Sequence, residues 1–360
     1  MVVRIAINGF GRIGRLVFRA VRDLYPKECQ IVAVHDLCDI ATNVHLLNYD
    51  SAHQRFPEQL TVTAEDTFEV GTGSDKWVVK NLTGRLGPSQ LPWKELDVDV
   101  VLESTGLFRT HCVKGEDGSV TKDGYDGHLL AGAKKVVLSV PSADEIECTL
   151  VLGVNDEDLK PDTNCISNAS CTTNCLAPVI KVLNDTFGIR NGYMTTVHAY
   201  TNDQVVSDIM HKDLRRARAA AMNIIPTSTG AAIALTRVVK NLTRGCMDGL
   251  ALRVPAITGS LVDITVNTRE KVTKDQVNQA LKAASESEAL RGILGYTDEP
   301  IVSSDIIGDR HSSIVDSLST MVLDNEKGGS LVKVLSWYDN EWMYSCRCAD
   351  IFHRLEQYTK

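Results

Sequence analysis

The sequence predicts a two-domain α/β protein, with a doubly wound parallel sheet in its first half and an α+β second half built on a mostly antiparallel sheet. Three observations predict it. Short runs that are apolar on both faces recur early (Val2 to Ile7, Ile31 to Val34, Val98 to Leu102, Val136 to Leu138, Val151 to Val154), which suits strands covered by helices on each side. After about residue 170 the pattern changes to alternation: Val262, Ile264 and Val266 fall on one face and Asp263, Thr265 and Asn267 on the other. A chain of 360 residues with 43% hydrophobic content has room for two cores.

The remaining elements follow in order. Arg15 to Leu24 reads as a helix after the first strand, and the polar, glycine-bearing stretch from Lys114 to Gly127 as a surface insertion. Leu176, Ile180, Leu183 and Phe187 mark a second helix. Pro178 is easiest in a first turn, which leaves its start at Cys171 or nearer Asn174. Thr273 to Gln276 has the form of a capping box ahead of Val277, Leu281 and Ala284 on one helical face. Leu331 to Trp337 alternates as a strand, and Ala349 to Tyr358 reads as a closing helix.

Composition excludes several classes. A net charge of -8 argues against general affinity for nucleic acid or anionic membranes, and no apolar run reaches bilayer length. The start of the chain lacks the layout of a secretion signal, and ten scattered cysteines read as reduced thiols, so the expected address is the cytoplasm.

The first strand runs into Asn8-Gly9-Phe10-Gly11-Arg12-Ile13-Gly14 and then a helix. Gly9 permits the tight turn, Gly11 lets backbone approach a pyrophosphate, and Gly14 permits close packing of helix on strand. Asp36, in His35-Asp36-Leu37 at the tip of the next apolar run, stands where ribose hydroxyls are recognised. Glycines, strand, helix and acid together predict a Rossmann domain. Asp36 favours NAD, because the extra phosphate of NADP meets like charge there.

In Ser167-Asn-Ala-Ser170-Cys171-Thr172-Thr-Asn174 a cysteine sits among small polar groups at a helix start, where the macrodipole favours a thiolate. His198, in Thr195-Thr-Val-His198-Ala-Tyr-Thr201-Asn202, offers a base, and a Cys with a His is the minimum for nucleophilic catalysis. The basic run Arg215-Arg216-Ala-Arg218, followed by small residues and Thr227-Ser-Thr229-Gly230, reads as an inward-folded loop with donors for phosphate oxygens. Arg253 lies on an otherwise apolar strand and calls for an anion or an internal carboxylate, of which the anion is favoured.

With Trp337-Tyr-Asp-Asn340-Glu-Trp342, these strings occur in order over nearly the whole chain, and together they resemble the glyceraldehyde-3-phosphate dehydrogenase family. The resemblance implies that Cys171 is the nucleophile and His198 its base. It implies that Gly9, Phe10, Gly11, Arg12, Ile13, Gly14, Asp36, Leu37, Ser139, Asn340 and Tyr344 serve NAD, with Asn340 on the nicotinamide carboxamide. By the same resemblance Thr201 and Arg253 bind the phosphate of glyceraldehyde 3-phosphate. Ser170, Thr172, Arg216, Thr229 and Gly230 hold the attacking inorganic phosphate, and no metal takes part. It implies an NAD-binding domain of residues 1–170 completed by a C-terminal helix at about 339–360, a catalytic domain of residues 171–338, and a homotetramer in which the segment 208–225 lies at the core.

The chain departs from the family pattern at Met343, where glycine is usual, at Met210, where proline is common, and in the long 114–127 insertion. Three other readings are distinguishable. An erythrose-4-phosphate dehydrogenase would hydrolyse its thioester. A protein of the same fold could use NAD or nucleic acid only as a ligand. A redox sensor would use the Cys171 and Cys175 pair.

Overall fold

A computed structural model describes residues 2–324 and 328–359. The chain forms two compact units. One comprises the segment up to Leu150, Glu157–Ala169 and the C-terminal stretch from Ser345, and the other comprises Val151–Asp156 and Ser170–Tyr344.

The first unit carries a nine-stranded sheet. Seven strands are parallel, in the order Cys148–Thr149, Cys165–Ser167, Lys135–Leu138, Val100–Glu103, Val3–Asn8, Cys29–Asp36, Trp77–Thr83; Thr67–Val70 and Leu60–Ala64 extend it antiparallel. Ile5, Ile7, Ile31, Val34, Val101, Leu102, Val136 and Leu138 are fully buried, as expected of strands covered on both faces. The first strand lies between Cys29–Asp36 and Val100–Glu103, so the strand order reverses there and opens a crevice at the C-terminal ends. The helix after it runs Arg12–Leu24, three residues earlier than its apolar periodicity indicates, and buries Leu16, Val17, Ala20 and Val21.

One local expectation fails. Val151 to Val154 is a turn, not a strand: the Val154 N–H donates to Val151 O, the Val151 N–H to Asn155 Oδ1, and Gly153 adopts φ +80°, which ends any extended run. The 114–127 insertion contains a short hairpin, Val113–Lys114 with Val120–Lys122, before a one-turn helix at Gly127–Leu130.

The second unit is built on a seven-stranded sheet in the order Ile225–Ser228, Met247–Val254, Ile189–Ala199, Ser260–Thr268, Ser330–Tyr338, Ser313–Asp324, Leu294–Thr297. Four of its six pairings are antiparallel. Val262, Ile264 and Val266, with Val332 and Val334, are buried on one face, against which the helix Cys171–Phe187 packs. That helix begins at Cys171 and keeps Pro178 in its interior. The Thr273 box is formed reciprocally, with Thr273 Oγ1 accepting from the Gln276 N–H at 3.2 Å and Gln276 Oε1 from the Thr273 N–H at 2.9 Å. The closing helix is Trp342–Leu355, beginning seven residues before Ala349, because Asp339 Oδ1 accepts from the N–H groups of Glu341 and Trp342.

The division of the chain differs from the expected one in detail. Val151–Asp156 groups with the second unit, and that unit continues to Tyr344 instead of ending at residue 338. The first shift follows from the turn at Gly153, and the second from the bonds that tie Asp339 and Asn340 to Thr258, Gly259 and Ser260. No described helix is long and apolar enough to cross a membrane.

Candidate active site

In the first unit, a cleft of about 640 Å³ opens at the strand ends, lined by Asn8, Gly9, Gly11, Asp36, Leu37 and Thr105 among others. Each glycine of the turn has its own reason. Gly9 has φ +92°, and a Cβ there would stand 2.6 Å from the Ser104 carbonyl carbon. A Cβ on Gly14 would land on the Gly9 carbonyl oxygen and 3.1 Å from Ile7 Cγ2. Nothing lies within 4 Å of a Cβ built on Gly11, so the backbone there is open to a ligand.

The helix from Arg12 has Gly11 as its N-cap with no side-chain cap, which leaves first-turn N–H groups for an anion. Asp36 ends its strand and accepts from the Phe10 N–H at 2.8 Å and the Leu37 N–H at 2.7 Å. These residues fit a dinucleotide. Gly14→Ala is expected to lower stability by about 1–3 kcal/mol through overpacking, read as a fall in thermal midpoint, with weaker NAD binding.

Other residues assigned to the cofactor divide by side chain. Phe10 is buried and packs edge-on against Phe18, so it offers the cleft only backbone. Arg12 pairs with Asp50 at 2.7 Å. Ser139 Oγ bonds Ser104 Oγ at 3.1 Å. Sequence reasoning did not single out Ser104 to Phe108 or Gly84 to Gly87, although the cleft draws lining residues from both runs. Their signal is positional, since each follows a strand that ends at the crevice.

In the second unit, Cys171 opens its helix and Ser170 caps it, Ser170 Oγ accepting from the Thr173 N–H at 3.1 Å. His198 is the penultimate residue of Ile189–Ala199, and its Nε2 lies 3.4 Å from Cys171 Sγ. Nδ1 stands 2.6 Å from the Ala199 carbonyl oxygen, which only accepts, and 2.6 Å from Arg253 Nη1, which only donates; the tautomer with its proton on Nδ1 is the one that turns the Nε2 lone pair to the thiol. Arg253 Nη1 also donates to the same carbonyl at 3.0 Å.

Tyr338, which the sequence did not flag, is fully buried. Its hydroxyl bonds Thr172 Oγ1 at 3.0 Å and Thr196 Oγ1 at 2.9 Å, and its ring meets the imidazole edge-on. The available signal was its place at the end of the buried face shared by Val332, Val334 and Ser336.

Burial, reinforced by the Arg253 charge, lowers the His198 pKa to about 3, so the ring is neutral and able to take a proton at pH 7. Burial pushes the Cys171 thiol above its ordinary value, while Arg253 and the hydroxyl and N–H of Thr172 oppose it. This reverses the depressed thiol expected from a helix start, because desolvation is the larger effect. The pair therefore rests as thiol and imidazole, with Sγ 3.4 Å from Nε2. Cys175 bonds Ser313 Oγ at 3.6 Å and is pushed up to about 12 by burial, so the two cysteines serve different partners; all ten are free thiols.

The remaining residues vary in how they are held. Arg253 Nε is buried with no protein partner, and among the described residues Arg253 forms no ion pair with a carboxylate. Thr201 bonds Gln204 Oε1 through its N–H at 3.0 Å. Thr229 Oγ1 accepts from the Ala231 N–H at 3.2 Å, and Gly230 caps the helix Ala231–Val238.

The basic loop is not folded inwards as a whole. Arg215 and Arg218 are exposed, with Arg218 on Asp208 at 2.8 Å. Arg216 alone is half-buried, held by Asp203, by Asp213 at 3.3 Å and by Thr227 Oγ1 at 2.8 Å. Carboxylates within the loop neutralise the run, which its spacing did not reveal. Met210 is 96% exposed, whereas Met343 is fully buried.

Asn340 Oδ1 accepts from Ser260 Oγ at 2.7 Å and the Gly259 N–H at 3.2 Å, and Tyr344 is buried.

A glycine turn at the switch point of a doubly wound sheet, an acid on the next strand and a thiol–imidazole pair in a second unit define an NAD-dependent oxidoreductase. Residues 3–111 match the family model described as glyceraldehyde 3-phosphate dehydrogenase, NAD binding domain, and residues 170–340 match its C-terminal domain. The chain is 52% identical over 354 residues to the glyceraldehyde-3-phosphate dehydrogenase of Mycobacterium avium, covering 98% of each chain. It is 52% identical over 355 residues to that of Borreliella burgdorferi, covering 98% of this chain and 99% of the other. Glyceraldehyde-3-phosphate dehydrogenase 2 of Streptomyces avermitilis is 51% identical over 352 residues, 98% of each chain. The chain belongs to the glyceraldehyde-3-phosphate dehydrogenase family.

Proposed function

We propose that this chain oxidises D-glyceraldehyde 3-phosphate, with NAD and inorganic phosphate, to 1,3-bisphosphoglycerate through a thioester on Cys171. The observation that carries the reading is the 3.4 Å approach of Cys171 Sγ to His198 Nε2 on a strand beside Arg253. His198 takes the thiol proton as Sγ bonds to the aldehyde carbon and passes it to the former carbonyl oxygen, giving a tetrahedral thiohemiacetal and a neutral imidazole again. First-turn N–H groups of the helix at Cys171 stabilise charge developing on the former carbonyl oxygen. Bound NAD supplies the acceptor for the hydride that leaves that carbon. His198 receives the hydroxyl proton as the carbonyl re-forms, leaving a thioester. A phosphate oxygen then attacks the acyl carbon, the carbon–sulfur bond breaks, and the acyl phosphate departs.

Arg253, with its unpartnered buried Nε, and Thr201 hold the phosphate of the aldehyde substrate. Ser170, Thr172, Thr229, Gly230 and Arg216 hold the attacking phosphate, Arg216 exchanging part of its bonding to Asp203 and Asp213 for the anion. Gly9 to Gly14, Asp36, Leu37, Ser139, Asn340 and Tyr344 serve the cofactor. The protein works in the cytoplasm as a homotetramer. Val206, Met210 and Leu214, 90%, 96% and 82% exposed, form part of the apolar surface that assembly covers.

Omitting phosphate tests the reaction. Steady-state NADH formation is expected to collapse to a single-turnover burst, because the thioester then has no acceptor. An equal steady rate with and without phosphate would instead indicate hydrolysis, as an erythrose-4-phosphate dehydrogenase performs.

A further inference from the structure

We propose that Ser260 is a positioning residue that locks the Asn340 side-chain amide, so that Asn340 offers the cofactor a hydrogen-bond donor and no acceptor. The inference rests on the reading that Asn340 serves the nicotinamide carboxamide.

The bonding leaves one consistent arrangement. The Ala199 N–H donates to Ser260 Oγ at 3.1 Å, and a backbone amide can only donate. The Ser260 hydroxyl hydrogen is therefore directed elsewhere, and Asn340 Oδ1 stands 2.7 Å away to receive it. The Gly259 N–H points at the same oxygen from 3.2 Å. Turning the amide over would set two Nδ2 hydrogens against the Gly259 N–H and leave the hydroxyl hydrogen without its acceptor. Ser260 and Asn340 are 1% and 4% exposed, so bulk water does not offer a substitute.

The backbone beneath is fixed as well. Asp339 Oδ1 accepts from Thr258 Oγ1 at 2.8 Å and Oδ2 from the Gly308 N–H at 2.9 Å, which holds the turn presenting Asn340. One hydroxyl thus links Asn340 to the peptide that follows His198, and what remains on offer is Nδ2. A substituent at C3 of the pyridine ring then needs a carbonyl oxygen at this position and has no use for an amino group.

Equilibrium binding, read by quenching of tryptophan fluorescence, tests this without turnover. The probes are NAD and its 3-acetylpyridine analogue, which keeps the carbonyl and lacks the amide nitrogen. The unmodified protein is expected to bind both within about two-fold; an analogue weaker by more than about ten-fold overturns the proposal, since an acceptor would then be in use. Ser260→Ala is expected to weaken NAD binding about five-fold, Ser260→Thr to restore it, and Ser260→Ala to add nothing in an Asn340→Ala background. Undiminished NAD affinity in Ser260→Ala, or a full additive loss in the double variant, overturns it. The rate of Cys171 alkylation by iodoacetamide should be unchanged in Ser260→Ala, which separates positioning of the cofactor from damage to the thiol–imidazole pair. A chain that failed to oxidise glyceraldehyde 3-phosphate would leave these binding outcomes readable, so the two readings fail separately.

Discussion

Cys171→Ser is expected to lower kcat for aldehyde oxidation by about 10⁴-fold or more, with NAD binding and thermal midpoint close to those of the unmodified protein. A hydroxyl is a far weaker nucleophile than sulfur, and the alkoxide that would attack is harder to generate beside a neutral imidazole. The geometry does not compensate, because the 3.4 Å separation suits a sulfur contact and the smaller oxygen would sit farther from Nε2. Single-turnover NADH formation with purified protein measures the loss. Turnover retained within an order of magnitude would mean that no bond forms at residue 171.

The second large effect is at the base. His198→Asn should reduce kcat by about 10³-fold, within the usual range for removing a general base, while Asn keeps a polar group near the Ala199 carbonyl. The pH profile gives the sharper readout. In the unmodified protein the imidazole, with its pKa lowered to about 3, is unprotonated throughout the neutral range, so its capacity to take a proton does not change there. Without it, Cys171 must ionise unaided. Burial raises that thiol, so the ionised fraction grows only as pH rises, by about ten-fold per pH unit below the thiol pKa. The variant's deficit should shrink toward alkaline pH. A deficit independent of pH would point to lost packing around Tyr338 instead of a lost base.

Legibility in the sequence followed the range of the interactions. The glycine turn, Asp36 at a strand tip, the capping box at Thr273 and the alternation of Val262, Ile264 and Val266 are local rules, and each takes the form its spacing indicates. Cys171 and His198 could be named as types, but their contact spans 27 positions and needed the sheet to bring strand end to helix start. Tyr338 and Ser260 were missed because their importance lies in hydrogen bonds to residues far away in sequence. Val151 to Val154 misled because apolar content alone does not separate a strand from a buried turn, and Gly153 decided the matter. The basic loop misled because two of the carboxylates that neutralise it, Asp203 and Asp208, lie 13 and 10 positions from the arginines they meet, outside the basic run itself.

The two bonds that Asp36 accepts from Phe10 and Leu37 bear on how nucleotide preference could evolve. The carboxylate proposed to discriminate between NAD and NADP is also the clasp that closes the loop ahead of the first helix. Trading it for a neutral or basic side chain would release a backbone hinge at the same moment that it admitted a new phosphate. A switch of coenzyme in this lineage would have to recruit replacement bonds for that loop first, which makes the trait resistant to drift by single changes.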